Sequence, residues 1–309
     1  MIGLAVRAIP ALFLLDAAAP ALAQSEEPEA DTTIVVTGRQ PVGEDETLEV
    51  VRRVARPVDG QLARFQQPVC PMVIGFEERY ESIVAARIRQ AAEQAGARAG
   101  GEGCVANLFV VIVDDGSEFV DELQRAEPGA FAGLSRREFS ALADADAAAR
   151  AWNSTVMTNS AGAVAGTPSP TSGTGTVKTG YQGSSVSNGN ASVMRVYEGS
   201  NINPSTQQAI ASAWVVIETG ATFGKSLTQI ADYAAMRGLA MVRPSEFADS
   251  ADTILTLFEP DAAAPVPELT PFDMAYLKGL YSIQGRRWAR QQVRQLADAI
   301  AGESEQATP

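Results

Sequence analysis

The chain has 309 residues, enough for one large or two small domains, and its 46% hydrophobic and 20% charged residues are ordinary for a globular protein. Lys+Arg number 24 against 37 Asp+Glu, a net charge of −13, which speaks against a nucleic-acid binder because such proteins need a basic face to displace counterions. There is no histidine, so Ser-His-Asp triads, histidine bases and His-ligated zinc are excluded, and the sequence points to no cofactor and no metal.

In chain order, residues 1–23 read as a secretory signal peptide: Arg7 supplies the positive start, Ala8 to Leu15 the apolar run, and Ala21-Leu22-Ala23 the cleavage site before Gln24. Asp16 and Pro20 interrupt that run, and a membrane span needs about 20 apolar residues. No later stretch is long and apolar enough either. The expectation is therefore a periplasmic or secreted protein with no transmembrane span in the mature chain.

Residues 24–48 read as a disordered acidic tail, with Glu26, Glu27 and Glu29 early and Glu44-Asp45-Glu46 late. Within it, Thr33-Ile34-Val35-Val36-Thr37-Gly38 resembles the TonB box of TonB-dependent outer-membrane receptors. That peptide adds a strand to the edge of its partner's sheet. The resemblance implies a TonB-like envelope partner for residues 32–38, engaged through Thr33, Ile34, Val35, Val36 and Thr37. The rest of the chain has no room for a receptor barrel.

Cys70 and Cys104 are the only cysteines, and in an oxidising compartment an even count of two predicts one bridge. Closing a loop of about 35 residues stabilises a fold by roughly 3–4 kcal/mol in the chain-entropy model. With no histidine and no CxxC spacing, a reactive thiol is disfavoured.

Helical periodicity runs through residues 77–99, with Tyr80, Ile83, Val84, Ile88, Ala91, Ala92 and Ala95 on the inward face. Leu108 to Val113 reads as a strand buried on both faces, with Val69 to Ile74 pairing beside it. Asp114-Asp115-Gly116-Ser117 is a turn, Phe119 to Arg125 a short helix, and Arg136 to Ala149 another. Residues 153–192 are rich in Gly, Ser and Thr and read as a flexible insertion, either a long surface loop or a hairpin with a floppy tip, with glycosylation sequons at Asn153 and Asn190.

Val193 to Tyr197 and Ala213 to Ile217 follow as strands, and Ser226 to Met236 as a helix. Ile254 to Phe258 is a short apolar piece. Thr270-Pro271-Phe272-Asp273 predicts a helix start, with Thr as N-cap, Pro first and Asp three residues after the cap. It carries Met274, Leu277, Leu280 and Tyr281 inward. An amphipathic helix over Arg286 to Ala301 is basic where the rest of the chain is acidic, and 302–309 reads as a disordered tail. The whole predicts a single α+β domain over 49–301: a disulfide-stapled α/β layer followed by a mainly helical C-terminal half.

Three patterns carry candidate chemistry. Thr219 to Ser226 lies between a strand and a helix like a phosphate loop, but its Gly220-to-Gly224 spacing is one residue short and favours a plain turn and helix start. Asp114 and Asp115 end a central strand, where α/β proteins place ligands. With Glu218 and Asp232 they offer an oxygen-ligand cation site or a carboxylate pair for hydrolysis, against the plainer reading of turn and cap chemistry. Lys225-Ser226 supplies the letters of a Ser–Lys pair, but adjacent helical residues do not face each other.

Four stretches resemble a group of uncharacterised exported proteins of alphaproteobacteria: Arg64 to Pro71, Gly103 to Leu108, Gln229 to Arg237 and Leu269 to Asp273. That resemblance implies no activity. The second half also resembles a zincin in its order of elements, with Lys225 to Gln229 where H-E-x-x-H would stand, so neither zinc ligand nor base is present. The expectation is a non-catalytic binding or envelope-interaction module, with a carboxylate-dependent periplasmic hydrolase as the alternative.

Overall fold

The computed structural model describes residues 44–143, 147–159, 203–243, 252–259 and 266–306. The signal peptide, the Thr33–Thr37 segment, Asn190, the strand expected over Val193–Tyr197 and most of the 153–192 insertion lie outside the described residues.

Helix α1 (Glu44–Val54) takes in the last residues of the segment read as a tail. Thr47, Val50, Val51 and Val54 are buried on one face. Asp45 and Glu46 precede them in the first turn, where a helix N-terminus favours negative charge.

The sheet is built around β3 (Leu108–Val113) and β5 (Gln207–Glu218), which run parallel, with Val110 opposite Val215. On the far side of β3, β2 (Pro71–Ile74) pairs in parallel, Val73 opposite Val110, as the sequence predicts. Strand β4 (Ala149–Thr158) lies antiparallel along the other edge of β5. The two-residue β1 (Arg64–Phe65) pairs with Ala209 and Ile210, below the stretch of β5 that holds β3. β4 sharpens two expectations. The helix expected over Arg136 to Ala149 is α4 (Arg136–Leu142) only, and residues 153–158 are strand, as the hairpin alternative has it, not surface loop. Trp152, Thr155, Val156 and Thr158 suit an extended chain, and pairing along almost all of β5 fixes it.

Strand alternation divides the core in two. Leu108, Val110, Ile112, Ala213, Val215 and Ile217 face the larger cluster, built with α2 (Glu78–Gln94), α6 (Leu227–Leu239), α7 (Pro271–Ser282) and α8 (Ala289–Gln306). Val111 and Val216 face a smaller cluster with Val120 of α3 (Gly116–Ala126), Phe131, Leu142 and Trp152. There Phe109, Trp214, Trp152 and Phe131 stack in sequence, with ring centroids 4.2, 5.8 and 5.0 Å apart.

Helix α2 stops at Gln94, and of the two glycines that the sequence offers as its end, Gly96 and Gly100, the chain turns at Gly96 (φ +84°) before residue 99 pairs with Val69. The Val69 amide donates to Arg98 O at 2.8 Å, and the Gly100 amide to Val69 O at 2.8 Å. Ile83, expected inward, is 52% exposed. Helix α7 begins as predicted: Thr270 and Asp273 form a reciprocal capping box. Helix α8 starts three residues later than Arg286 and continues to Gln306, into the segment read as a tail.

Cys70 and Cys104 are joined in a disulfide with Cα atoms 6.0 Å apart, tying the start of β2 to the approach to β3. Asn107 braces the same corner, accepting from the Cys70 amide at 2.8 Å and donating to Pro68 O at 2.9 Å. Among the described residues no helix is long and apolar enough to cross a membrane.

Candidate functional site

The structure brings three of the four candidate carboxylates to one end of the sheet. Val113 and Glu218 are register partners on β3 and β5, and Asp114 and Asp115 follow directly. Asp114 is exposed, and the other two have structural roles. Asp115 is the N-cap of α3, accepting from the Glu118 amide at 2.9 Å and from Ser117 Oγ at 2.7 Å. Those hydrogen bonds, the Glu118 amide foremost, hold its carboxyl below the usual carboxylate range.

Glu218 pairs at 2.9 Å with Arg150, whose side chain is 1% exposed and also donates to Leu142 O. A Cβ at position 116 would overlap the Arg150 guanidinium, so glycine there lets the arginine reach its partners. Asp232 is not part of this end. It is fully buried in α6 and takes a bidentate contact from Arg87 of α2, at 2.7 and 2.8 Å, plus the Leu269 amide at 2.8 Å. Among the described residues no group of three or more His, Cys, Asp or Glu is placed to hold a metal ion.

The phosphate-loop pattern resolves into a short helix α5 (Thr219–Thr222), a Gly224 turn at φ +75° and the Ser226 cap of α6. Lys225 sits over the Phe258 ring at 5.4 Å. Asn153 is buried and donates to Gly238 O at 3.0 Å, so its sequon is closed to a glycan.

A second place concentrates charge in a different way. The connector between α7 and α8 and the turn before β1 are locked together. Val58 and Gln61 exchange backbone hydrogen bonds at 2.8 and 2.9 Å across Asp59 (φ +46°) and Gly60 (φ +75°), a tight Asp-Gly turn with both central residues left-handed. Buried Gln61 donates to Thr206 O at 3.0 Å and accepts from the Gln208 amide at 3.1 Å. Fully buried Gln292 accepts from the Leu62 amide at 2.7 Å and donates to Gln284 O and Gly285 O, each at 3.1 Å. Arg64 donates to Leu280 O at 3.0 Å and Ile283 O at 2.7 Å, ending α7, and burial pushes its pKa down.

On this frame lies a groove of about 850 Å³ between the end of α1 and the start of α8. Arg52, Arg287, Arg290 and Arg294 line it, against the single carboxylate of Asp298. Arg287 donates to the neutral groups of Gln284 at 2.8 Å and Asn203 at 3.1 Å. Arg52, Arg290 and Arg294 have no ion-pair partner among the described residues. Gln291 and Gln295 also line the groove, and their Oε1 atoms are covered and without a hydrogen-bond partner among the described residues. An unsatisfied buried acceptor of that kind costs about 1–3 kcal/mol.

A smaller hollow of about 400 Å³ adjoins it through Ala289 and Arg290. It is lined by Gly60 and by Trp288, which is 43% exposed. The sequence marked the last helix as basic. It did not show that Arg52 joins that face, because it predicts no helix over residues 44–54, the first of which read as tail.

No protein-family model, no curated protein and no solved structure matches this chain.

Proposed function

We propose that this protein is a non-catalytic binding module of the cell envelope, with the arginine-lined groove as its recognition surface. The observation that carries the reading is the contrast in charge use. Asp115, Glu218 and Asp232 are each engaged in holding the fold, while Arg52, Arg290 and Arg294 face a ligand-sized hollow with no carboxylate partner among the described residues. The disulfide supports an oxidising compartment, and the leader pattern of residues 1–23 supports export to the periplasm or beyond. In the same reading Thr33–Thr37 offers a strand to a TonB-like partner. The hydrolase alternative has less support, since the grouped carboxylates Asp115 and Glu218 are a helix cap and an ion-pair member rather than an acid–base pair in a cleft.

Co-sedimentation with washed cell-envelope material tests the reading. The intact chain is expected to sediment with envelopes at low salt and to be released as salt rises. A chain carrying Arg52→Ala, Arg290→Ala and Arg294→Ala is expected to stay in the supernatant. Equal sedimentation of the two chains would remove the groove from the account. Deleting residues 32–38 is expected to leave this binding intact and to abolish crosslinking to a TonB C-terminal domain.

A further inference from the structure

We infer that the groove takes an anionic saccharide, a sugar bearing carboxylate or phosphate groups; this rests on the groove being the recognition surface and names its ligand class. Three features point to one chemistry. The arginines supply planar, multi-donor forks suited to carboxylate or phosphate oxygens. A bare anion would be satisfied by them alone.

Gln291 and Gln295 add the second requirement. Their orphaned Oε1 atoms are acceptors, and the terminal amide torsion of glutamine is soft. Turned into the groove, that amide oxygen accepts from water while the groove is empty and from a ligand hydroxyl once it is filled. Sugar hydroxyls are such donors, and a carboxylate or sulfate is not.

Trp288 adds the third. A Cβ at Gly60 would lie 3.3 Å from the indole, so the glycine allows the ring to rest on the Asp59-Gly60 turn. The ring remains 43% exposed beside Arg290. An indole face seated on a rigid turn is a platform for the C–H face of a pyranose, and the Ala289 amide ties its segment to Gly60 O. The groove and hollow together, about 850 and 400 Å³, have room for a short oligosaccharide. Asp298 also lines the groove and offers an acceptor to a sugar hydroxyl. The carboxylate and phosphate sources share this chemistry and differ in the probe that binds more tightly.

The test is calorimetric titration of the intact chain with trigalacturonate, glucose 6-phosphate, maltotriose and a glutamate oligopeptide, with tryptophan fluorescence read in parallel. Trigalacturonate or glucose 6-phosphate is expected to bind at least tenfold more tightly than either maltotriose or the glutamate peptide, and to shift the emission of Trp288. Trp288→Ala is expected to weaken the acidic sugar about tenfold and leave the glutamate peptide unchanged, while Trp288→Phe retains most of the affinity. Arg290→Ala/Arg294→Ala is expected to abolish binding of every anion. If the glutamate peptide binds as well as the sugars, or Trp288→Ala changes nothing, the saccharide inference is overturned while the groove remains an anion site. If no anion binds, and the arginine variants also sediment with envelopes like the intact chain, both readings fail.

Discussion

Two sets of arginines divide the molecule. Around the sheet, Arg87 clasps buried Asp232, Arg150 meets Glu218, and Arg64 closes the end of α7. Each guanidinium there joins elements distant in sequence. At the α1–α8 groove, Arg52, Arg290 and Arg294 face one hollow with no ion-pair partner among the described residues. Like charges facing one another weaken a fold rather than hold it. The first set holds the fold, and the second is the one for which we propose a ligand.

The contrast breaks most visibly at Arg87. Arg87→Met leaves Asp232 as a buried charge without its counter-ion and is expected to cost about 3–5 kcal/mol in urea denaturation. Adding Asp232→Leu is expected to recover part of that loss, because it removes the unpaired charge but also the acceptor of the Leu269 amide. A single-variant loss below about 1 kcal/mol would show that the pair is not a structural clamp. Next in size, Gly116→Ala drives a methyl into the Arg150 guanidinium and is expected to cost about 1–3 kcal/mol; an unchanged midpoint would mean Arg150 is free to move aside.

On the other side of the comparison, Arg290→Ala/Arg294→Ala is expected to leave stability within about 0.5 kcal/mol of the parent, since neither side chain has an ion-pair partner among the described residues. A loss above 2 kcal/mol, roughly the cost of a broken structural contact, would place these arginines with the first set.

The smallest effect is a pH dependence at Asp115. Its folded pKa lies below the unfolded value near ~3.9, so its capping contribution is present above that value and is lost as pH falls through the folded one. Asp115→Asn keeps a capping acceptor without the charge. The stability difference between the two chains is expected to shrink as the pH is lowered from 5 towards 3, followed by thermal melts, and a constant difference would contradict the assignment.

What the sequence made legible were the elements whose signals are local or complete. Leu108–Val113 is apolar throughout because both its faces are covered, and the Thr270-Pro271-Phe272-Asp273 cap carries its own geometry. The disulfide followed from the cysteine count. Strand β4 was hidden because its reason is non-local: Ala149–Thr158 is extended by β5, which lies some 50 residues further on. α1 was hidden because acidic residues at a helix start look like the tail they continue, and only the Val50, Val51 and Val54 spacing marks the change.

Asp114, Asp115 and Glu218 stand together at one sheet end, whereas Asp232 lies apart in α6; the partners Arg150 and Arg87 were not legible, since they reach Glu218 and Asp232 only in the folded chain. The groove was half legible. Arg286 to Arg294 stand out in an acidic chain, whereas Arg52, Trp288 on Gly60 and the orphaned glutamines meet only through the packing of α1 on α8.

The division between the two sets of arginines can be observed directly. In the intact chain, the Nε–Hε resonances of Arg52, Arg290 and Arg294 are expected to move on titration with trigalacturonate, while those of Arg64, Arg87 and Arg150 stay in place. Shifts spread equally over both sets, or confined to the buried three, would contradict the assignment of the groove as the recognition surface.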